Sequence, residues 1–202
     1  DAFLALIVQL TTSGETMGEV SIEAVDVQTV LETAVSTVIT QIREKNLHLD
    51  MQIEPDIPQL SVNREALQQI LSHLLGNACQ VSNQNSRVAI SATLNQLPSS
   101  QDNGQSKPIN FMHLSITDSG GGINIDDRAR VFDPQYQADN PLIDGLGDTG
   151  AGLAVARTLT EANGGRVWID SQMGEGSTLS ILFPILETPH ENGVDSQNNT
   201  TA

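Results

Sequence analysis

Apolar residues recur at helical spacing in three stretches of this chain and at alternate positions in five others. Val30, Leu31, Ala34, Val35, Val38, Ile39 and Ile42 form one stripe, and Asp26 stands at an N-cap position. The pattern predicts a helix from Val27 to about Arg43. Asn63 caps a second predicted helix reaching about Val81, with Leu67, Ile70, Leu71, Leu74, Leu75 and Ala78 on its apolar side. A third runs from Leu153 to Ala162 and stops at Asn163, Gly164 and Gly165. Leu47, Leu49, Met51 and Ile53 alternate with polar residues as a half-buried strand does, and Pro55 and Pro58 end it. Val88 to Leu94 and Met112 to Ile116 read as two strands of a hairpin. Val167 and Ile169 begin another strand, and Leu179, Ile181 and Phe183 form the last, closed by Pro184. The sum predicts an α+β fold, a two-layer sandwich with helices on one face of a mixed, mostly antiparallel sheet.

Most of the remaining chain lacks such periodicity. Thr117 to Gly150 is rich in glycine and acids and reads as loops, as does Pro98 to Pro108. Residues 1–14 carry Phe3, Leu6, Ile7 and Leu10 at helical spacing, as the end of a longer helix does. Residues 187–202 form a polar, acidic tail that buries too little to offset its ordering entropy, so disorder is expected there. The domain proper is expected over residues 15–186.

Charge narrows the function. Nine Lys and Arg stand against 25 Asp and Glu, a formal net charge of -16, which repels nucleic acid backbones and anionic membranes. No nucleic acid partner and no direct membrane contact are expected. No run of 18 apolar residues spans a bilayer, and the expected compartment is the cytoplasm. The single cysteine, Cys79, excludes an intrachain disulfide and a cysteine-based zinc site.

Three features point to chemistry. Asn77 lies near the end of a strongly apolar helix, where its amide needs a partner; it is either a link to a neighbouring loop or an oxygen ligand for a hard cation such as magnesium. His73 lies one turn earlier on the same face. The run Asp118 to Ile123, DSGGGI, follows a strand directly; it is either a structural turn or a backbone that lets a ligand approach, with Asp118 accepting from an exocyclic amine. The run Gly147 to Leu153, GDTGAGL, leads into a helix whose first amides attract phosphate.

Together and in this order, these runs resemble the ATP-binding catalytic domain of bacterial sensor histidine kinases. That group is related to DNA gyrase, the Hsp90 chaperone and the MutL repair proteins. His73 to Ser82, HLLGNACQVS, resembles its N box, and DSGGGI its first glycine box. Val131 to Tyr136, VFDPQY, resembles its F box. Gly147 to Gly165 resembles its second glycine box with the following helix, and Gly174 to Pro184 its closing strand.

The resemblance implies a Bergerat-type ATP-binding fold with ATP and Mg2+ as ligands. It implies that Asn77 binds the metal and that Asp118 receives the adenine amino group, helped by Thr178 through a water. Gly120 and Gly122 make room for the base. Phe132 anchors a mobile lid, and Gly147, Gly150 and Gly152, with the helix start at Leu153, hold the phosphates. Asn77 and His73 are the implied catalytic residues, His73 by positioning the attacking imidazole or a metal-bound water. The implied reaction transfers the γ-phosphate to a histidine on a dimerisation domain outside this chain, and a response regulator receives it later. The chain is then monomeric and the whole protein a homodimer.

Three departures stand beside the matches. Gln80 and Gln137 occupy positions where many family members carry Lys and Arg, and no Lys or Arg lies between Arg130 and Arg157. A phosphate clamp without cations implies weak ATP binding or an absolute need for magnesium. The same departures favour a noncatalytic nucleotide-binding scaffold as the alternative. A related ATPase or serine kinase is the other, opposed by His73, which stands where the hydrolysing relatives carry a Glu.

Overall fold

The computed structural model describes residues 21–97, 109–133 and 151–185. The expected dimerisation-helix end, the Pro98–Pro108 loop and the acidic tail lie outside the described residues, as do Gly147, Gly150 and most of the lid.

Asp26 caps the first helix, α1 (Val27–Thr37), accepting from Gln28 N at 3.1 Å and Thr29 Oγ1 at 2.7 Å. The single helix expected to Arg43 is instead two. Val38 leaves helical geometry at φ -106° and ψ 6°, and a short α2 (Ile39–Glu44) follows with no buried residue. The break falls in the run Val35-Ser36-Thr37-Val38-Ile39-Thr40, which is β-branched except for Ser36 and Thr-rich at its end. Its branched side chains crowd the preceding turn. Ser36 Oγ and Thr37 Oγ1 also bond back to Thr33 O and Ala34 O and compete with the helical ladder. Ile39, expected inside, is therefore exposed.

The long helix α3 (Arg64–Val81) matches its prediction. Asn63 Oδ1 accepts from Ala66 N at 2.7 Å. Lys45 Nζ bonds the carbonyls of Gln80 and Ser82 and so opposes the negative end of the helix. The last helix, α4 (Ala151–Ala162), ends where Asn163 and Gly164 turn the chain.

Five strands make the main sheet: β2 (His48–Ile53), β4 (Arg87–Leu97), β5 (Ile109–Asp118), β7 (Gly176–Pro184) and β6 (Arg166–Gln172), in that spatial order. Only the β2–β4 pair is parallel, joined by a crossover that contains α3. The expected β4–β5 hairpin is present, with Ile90 opposite Ile116. A separate ribbon pairs β1 (Glu23–Val25) with β3 (Leu60–Val62). Both are three residues long, too short for an alternation to show.

Val88, Ile90 and Ala92, then Met112, Leu114 and Ile116, then Leu179, Ile181 and Phe183 bury one sheet face together with the apolar sides of α1, α3 and α4. α3 lies between α1 and α4. Among the described residues no helix is long and apolar enough to cross a membrane.

The core fixes the rotation of α3. Leu67, Ile70, Leu71, Leu74 and Leu75 are at most 1% exposed, and each such side chain is worth about 1.5–3 kcal/mol. Turning the helix to satisfy one polar group would sacrifice several of them for a single hydrogen bond worth about 1 kcal/mol. Whatever polar residues face the other way must accept their position.

Candidate functional site

The polar side of α3 carries the candidate residues in one line. His73, Asn77 and Val81 are four residues apart and stack along about 12 Å of helix. Both ends of the line meet other elements. A Cβ placed on Gly152 would lie 3.3 Å from His73 Nδ1, so the first turn of α4 packs on the imidazole. A Cβ on Gly120 would lie 2.8 Å from Val81 O and 2.9 Å from Asp118 Oδ1, so the loop after β5 closes on the last turn of α3. Asn77 sits between them, half-buried. Its Oδ1 is buried and has no hydrogen-bond partner among the described residues. Such an atom costs about 1–3 kcal/mol until something fills it.

Asp118 ends the inward row of β5. Met112, Leu114 and Ile116 precede it at alternate positions, and it is 2% exposed. Burial pushes its carboxyl above the usual range, and two backbone amides pull the other way. Both amides, Gly120 N at 2.8 Å and Ser177 N at 3.2 Å, donate to Oδ1. Oδ2 has no bond within the described residues and remains an acceptor for an N–H donor.

Two glycines make this corner possible. Gly176 has φ +104°, and a Cβ there would collide with the carbonyl oxygen of Asp118. Gly122 has φ +70°, and a Cβ there would collide with the carbonyl oxygen of Gln172. The close approach that these two glycines permit is to the protein's own backbone.

Other expected residues fall differently. Thr178 points to the outer face of the sheet, where its Oγ1 lies 2.9 Å from Thr117 Oγ1. Its neighbour Ser177 pairs directly with Asp118 and shares its face. The helper role assigned to Thr178 is therefore corrected: side chains alternate along a strand, and parity puts position 177 inside. Leu153 is a core residue at 2% exposure, so only its backbone can face a ligand. Phe132 and Val131 are buried in the same core, which fixes the chain at the end of this described stretch. His73 is exposed on one edge, yet the burial of the rest of its ring lowers its pKa from the usual imidazole value and keeps it neutral at pH 7.

The motif reading missed Ser171 in β6. Its Oγ lies 2.8 Å from Ile123 N, 3.0 Å from Gly176 O and 2.9 Å from Ser177 Oγ. Strand parity signals this residue too, since Val167 and Ile169 precede it on the inward row.

Known proteins resemble this chain in sequence and in fold. Residues 62–187 match the family described as histidine kinase-, DNA gyrase B-, and HSP90-like ATPase. The chain is 30% identical over 128 residues to the sensor histidine kinase WalK of Bacillus subtilis, covering 63% of this chain and 19% of WalK. It is 31% identical over 161 residues to the sensor histidine kinase AruS of Pseudomonas aeruginosa, covering 78% of this chain and 15% of AruS. The chain therefore spans less than a fifth of the length of either relative.

Two solved structures share its fold. One is full-length ShkA in complex with AMPPNP, at TM-score 0.65 and 24% identity, covering 90% of this chain and 35% of that one. The other is the nucleotide-free catalytic domain of the histidine kinase ThkA, at TM-score 0.64 and 18% identity, covering 81% and 95%. With more than half its length matched, and with Asn77, Asp118 and the α4 start gathered on one side of α3, the chain belongs to the histidine kinase-, DNA gyrase B-, and HSP90-like ATPase family.

Proposed function

We propose that this chain binds ATP with its base at Asp118 and its phosphates between Asn77 and the start of α4, and donates the γ-phosphate to a histidine on a separate helical dimerisation domain. The observation that carries this reading is the orphaned Asn77 Oδ1, midway between the α4 start and the glycine loop at Asp118. The relatives named as sensor histidine kinases support the choice of acceptor. The acceptor domain, the homodimer it forms and a downstream response regulator belong to the same proposal.

A divalent cation fits this site through a single protein ligand. Asn77 Oδ1 is a hard, neutral oxygen donor of the kind magnesium takes. Among the described residues no three His, Cys, Asp or Glu side chains gather to form a metal cage. Asn77 would hold the ion through this oxygen. When bound, the ion neutralises phosphate charge in a chain whose own net charge is -16.

The protein's part in the reaction is placement. Asp118 Oδ2 accepts from the exocyclic amine and fixes the base. The first amides of α4 face the phosphates. His73, neutral and packed on that first turn, offers a hydrogen bond without adding charge. In the transfer, a lone pair on the incoming imidazole nitrogen attacks the γ-phosphorus in line. The N–P bond forms, the bond to the bridging β–γ oxygen breaks, and ADP leaves with the electron pair. Neutral imidazole attacks without prior deprotonation, and the proton on its other ring nitrogen passes to water once the N–P bond has formed.

The test supplies a two-helix histidine domain in trans with γ-labelled ATP and magnesium. Acid-labile, base-stable label on the added domain, lost with Asn77→Ala, is the expected result. Nucleotide binding without any transfer to a competent acceptor domain overturns the kinase reading in favour of a noncatalytic scaffold.

A further inference from the structure

The hydrogen bonds at Ser171 settle which group donates to which. A serine hydroxyl has one proton and two lone pairs. Ile123 N can only donate to Ser171 Oγ, at 2.8 Å, and Gly176 O can only accept from it, at 3.0 Å. The one proton of Ser171 is thereby used, so Ser177 Oγ, at 2.9 Å, must be the donor in their contact. The hydroxyl is filled to capacity, in a side chain only 9% exposed.

The segments it joins are the two that hold Asp118. One is the loop Ser119 to Ile123, which supplies Gly120 N; the other is the turn into β7, which supplies Ser177 N. A further tie, from Gly174 N to Gly121 O at 2.8 Å, links the same loop to the same turn. Both amides converge on Oδ1. Their relative position therefore decides how the carboxylate is turned and where the free Oδ2 points. Ser171 itself has no bond to Asp118.

We infer that Ser171 is a positioning residue for base selection: by locking the glycine loop to the β6–β7 turn it aims Asp118 Oδ2 at an exocyclic amine, and so sets the preference for 6-aminopurine nucleotides. This inference rests on the reading that Asp118 receives the base. A residue that only stabilised the fold would weaken every nucleotide alike. A residue that aims one carboxylate oxygen acts on nucleotides that carry the amine and spares those that lack it.

The experiment is calorimetric titration of the chain with ATP and with purine riboside 5′-triphosphate, which lacks the amine, under saturating magnesium. One hydrogen bond to a charged acceptor, worth about 1.5–3 kcal/mol, corresponds to a preference for ATP of about tenfold or more in the unaltered chain. Ser171→Ala is expected to reduce that preference to about threefold or less, with affinity for the purine riboside nucleotide within about twofold of the original.

Ser171→Cys keeps nearly the same volume with a weak donor and carries the same comparison if the alanine variant does not fold. Ser171→Thr keeps the hydroxyl and should restore the preference. A preference unchanged in the alanine and cysteine variants, or equal weakening of both nucleotides, overturns the inference while leaving Asp118 in its role. An unaltered chain that binds both nucleotides equally overturns the reading of Asp118, and this inference with it.

Discussion

The two ends of the stripe on α3 are built on different plans. At the Asp118 end the loops are tied to one another: Oδ1 takes two amides, Ser171 is saturated, and Gly122 and Gly176 press backbone on backbone, with Asp118 Oδ2 and the buried Ser82 Oγ left without a bond among the described residues. Away from that end more is left open: midway along the stripe Asn77 Oδ1 is buried without a partner among the described residues, and at the far end His73 is partly open. The first plan suits a group recognised by shape and one hydrogen bond. Under the proposed function, the second keeps polar capacity in reserve for a ligand that arrives with its own charge and metal. The core residues of α3 make that reserve possible, because they fix its rotation at a cost no single amide can reverse.

The largest expected effect at the built end comes from Asp118→Asn. The substitution replaces the free acceptor by an amide that can donate there, and ATP affinity should fall by about tenfold to a hundredfold in calorimetry. Stability should move the other way. The folded-state pKa of Asp118 is raised, so its contribution to stability is full at low pH and lost as pH rises through the folded value. At pH 7 the ionised group is a net cost that the asparagine removes, and the melting temperature should rise. A variant that melts lower at pH 7 would show that the carboxylate supports the fold rather than the ligand.

Gly176→Ala tests the same corner through its backbone. The residue combines φ +104° with a forbidden approach to Asp118, so a loss of about 2 kcal/mol or more in chemical denaturation is expected. ATP binding should weaken with it, since Ser177 N follows directly in the chain. A stable variant with unchanged affinity would show the corner to be more pliable than its contacts imply.

At the open end, His73→Gln should change only the acid side of the stability profile. The folded pKa of His73 is lowered, so its contribution is present above about pH 6.5 and lost as pH falls through the folded value. The variant should lose less stability between pH 7 and 5 than the parent chain. Identical profiles would mean that the imidazole is solvated in spite of its contact with the first turn of α4.

The smallest effect is expected from Thr178→Val. On the outer face it removes one contact with Thr117, worth about 0.2–1 kcal/mol, and ATP affinity should stay within about twofold. A large loss of binding would return Thr178 to the site and put the sheet parity in question.

Much of this architecture is legible in the residues themselves. Asn63 followed by an apolar set at helical spacing specifies α3, and alternation in β4, β5 and β7 specifies their buried face. The motif order specifies the family. The errors are those of purely local reasoning. A helical period extends through Val38 although crowding by branched side chains and the back-bonding hydroxyls of Ser36 and Thr37 break the helix there. The ribbon of β1 and β3 is too short for any period to register.

The motif points to Thr178, although Leu179, Ile181 and Phe183 already place Ser177 on the inward row. Ser171 carries no motif signal, because the three partners of its hydroxyl are brought together only by the fold. The parallel register of β2 on β4 is likewise a property of the crossover, invisible within either strand.

The central claim is that the buried, unpartnered oxygen of Asn77 is reserved for a magnesium nucleotide. Its most direct test is calorimetric titration of the chain with a nonhydrolysable ATP analogue, with and without magnesium, beside an Asn77→Ala variant of confirmed fold. Binding that requires magnesium, and that vanishes in a variant at least as stable as the parent, is the predicted result. Tight binding without magnesium, or undiminished magnesium-dependent binding by the variant, would contradict it.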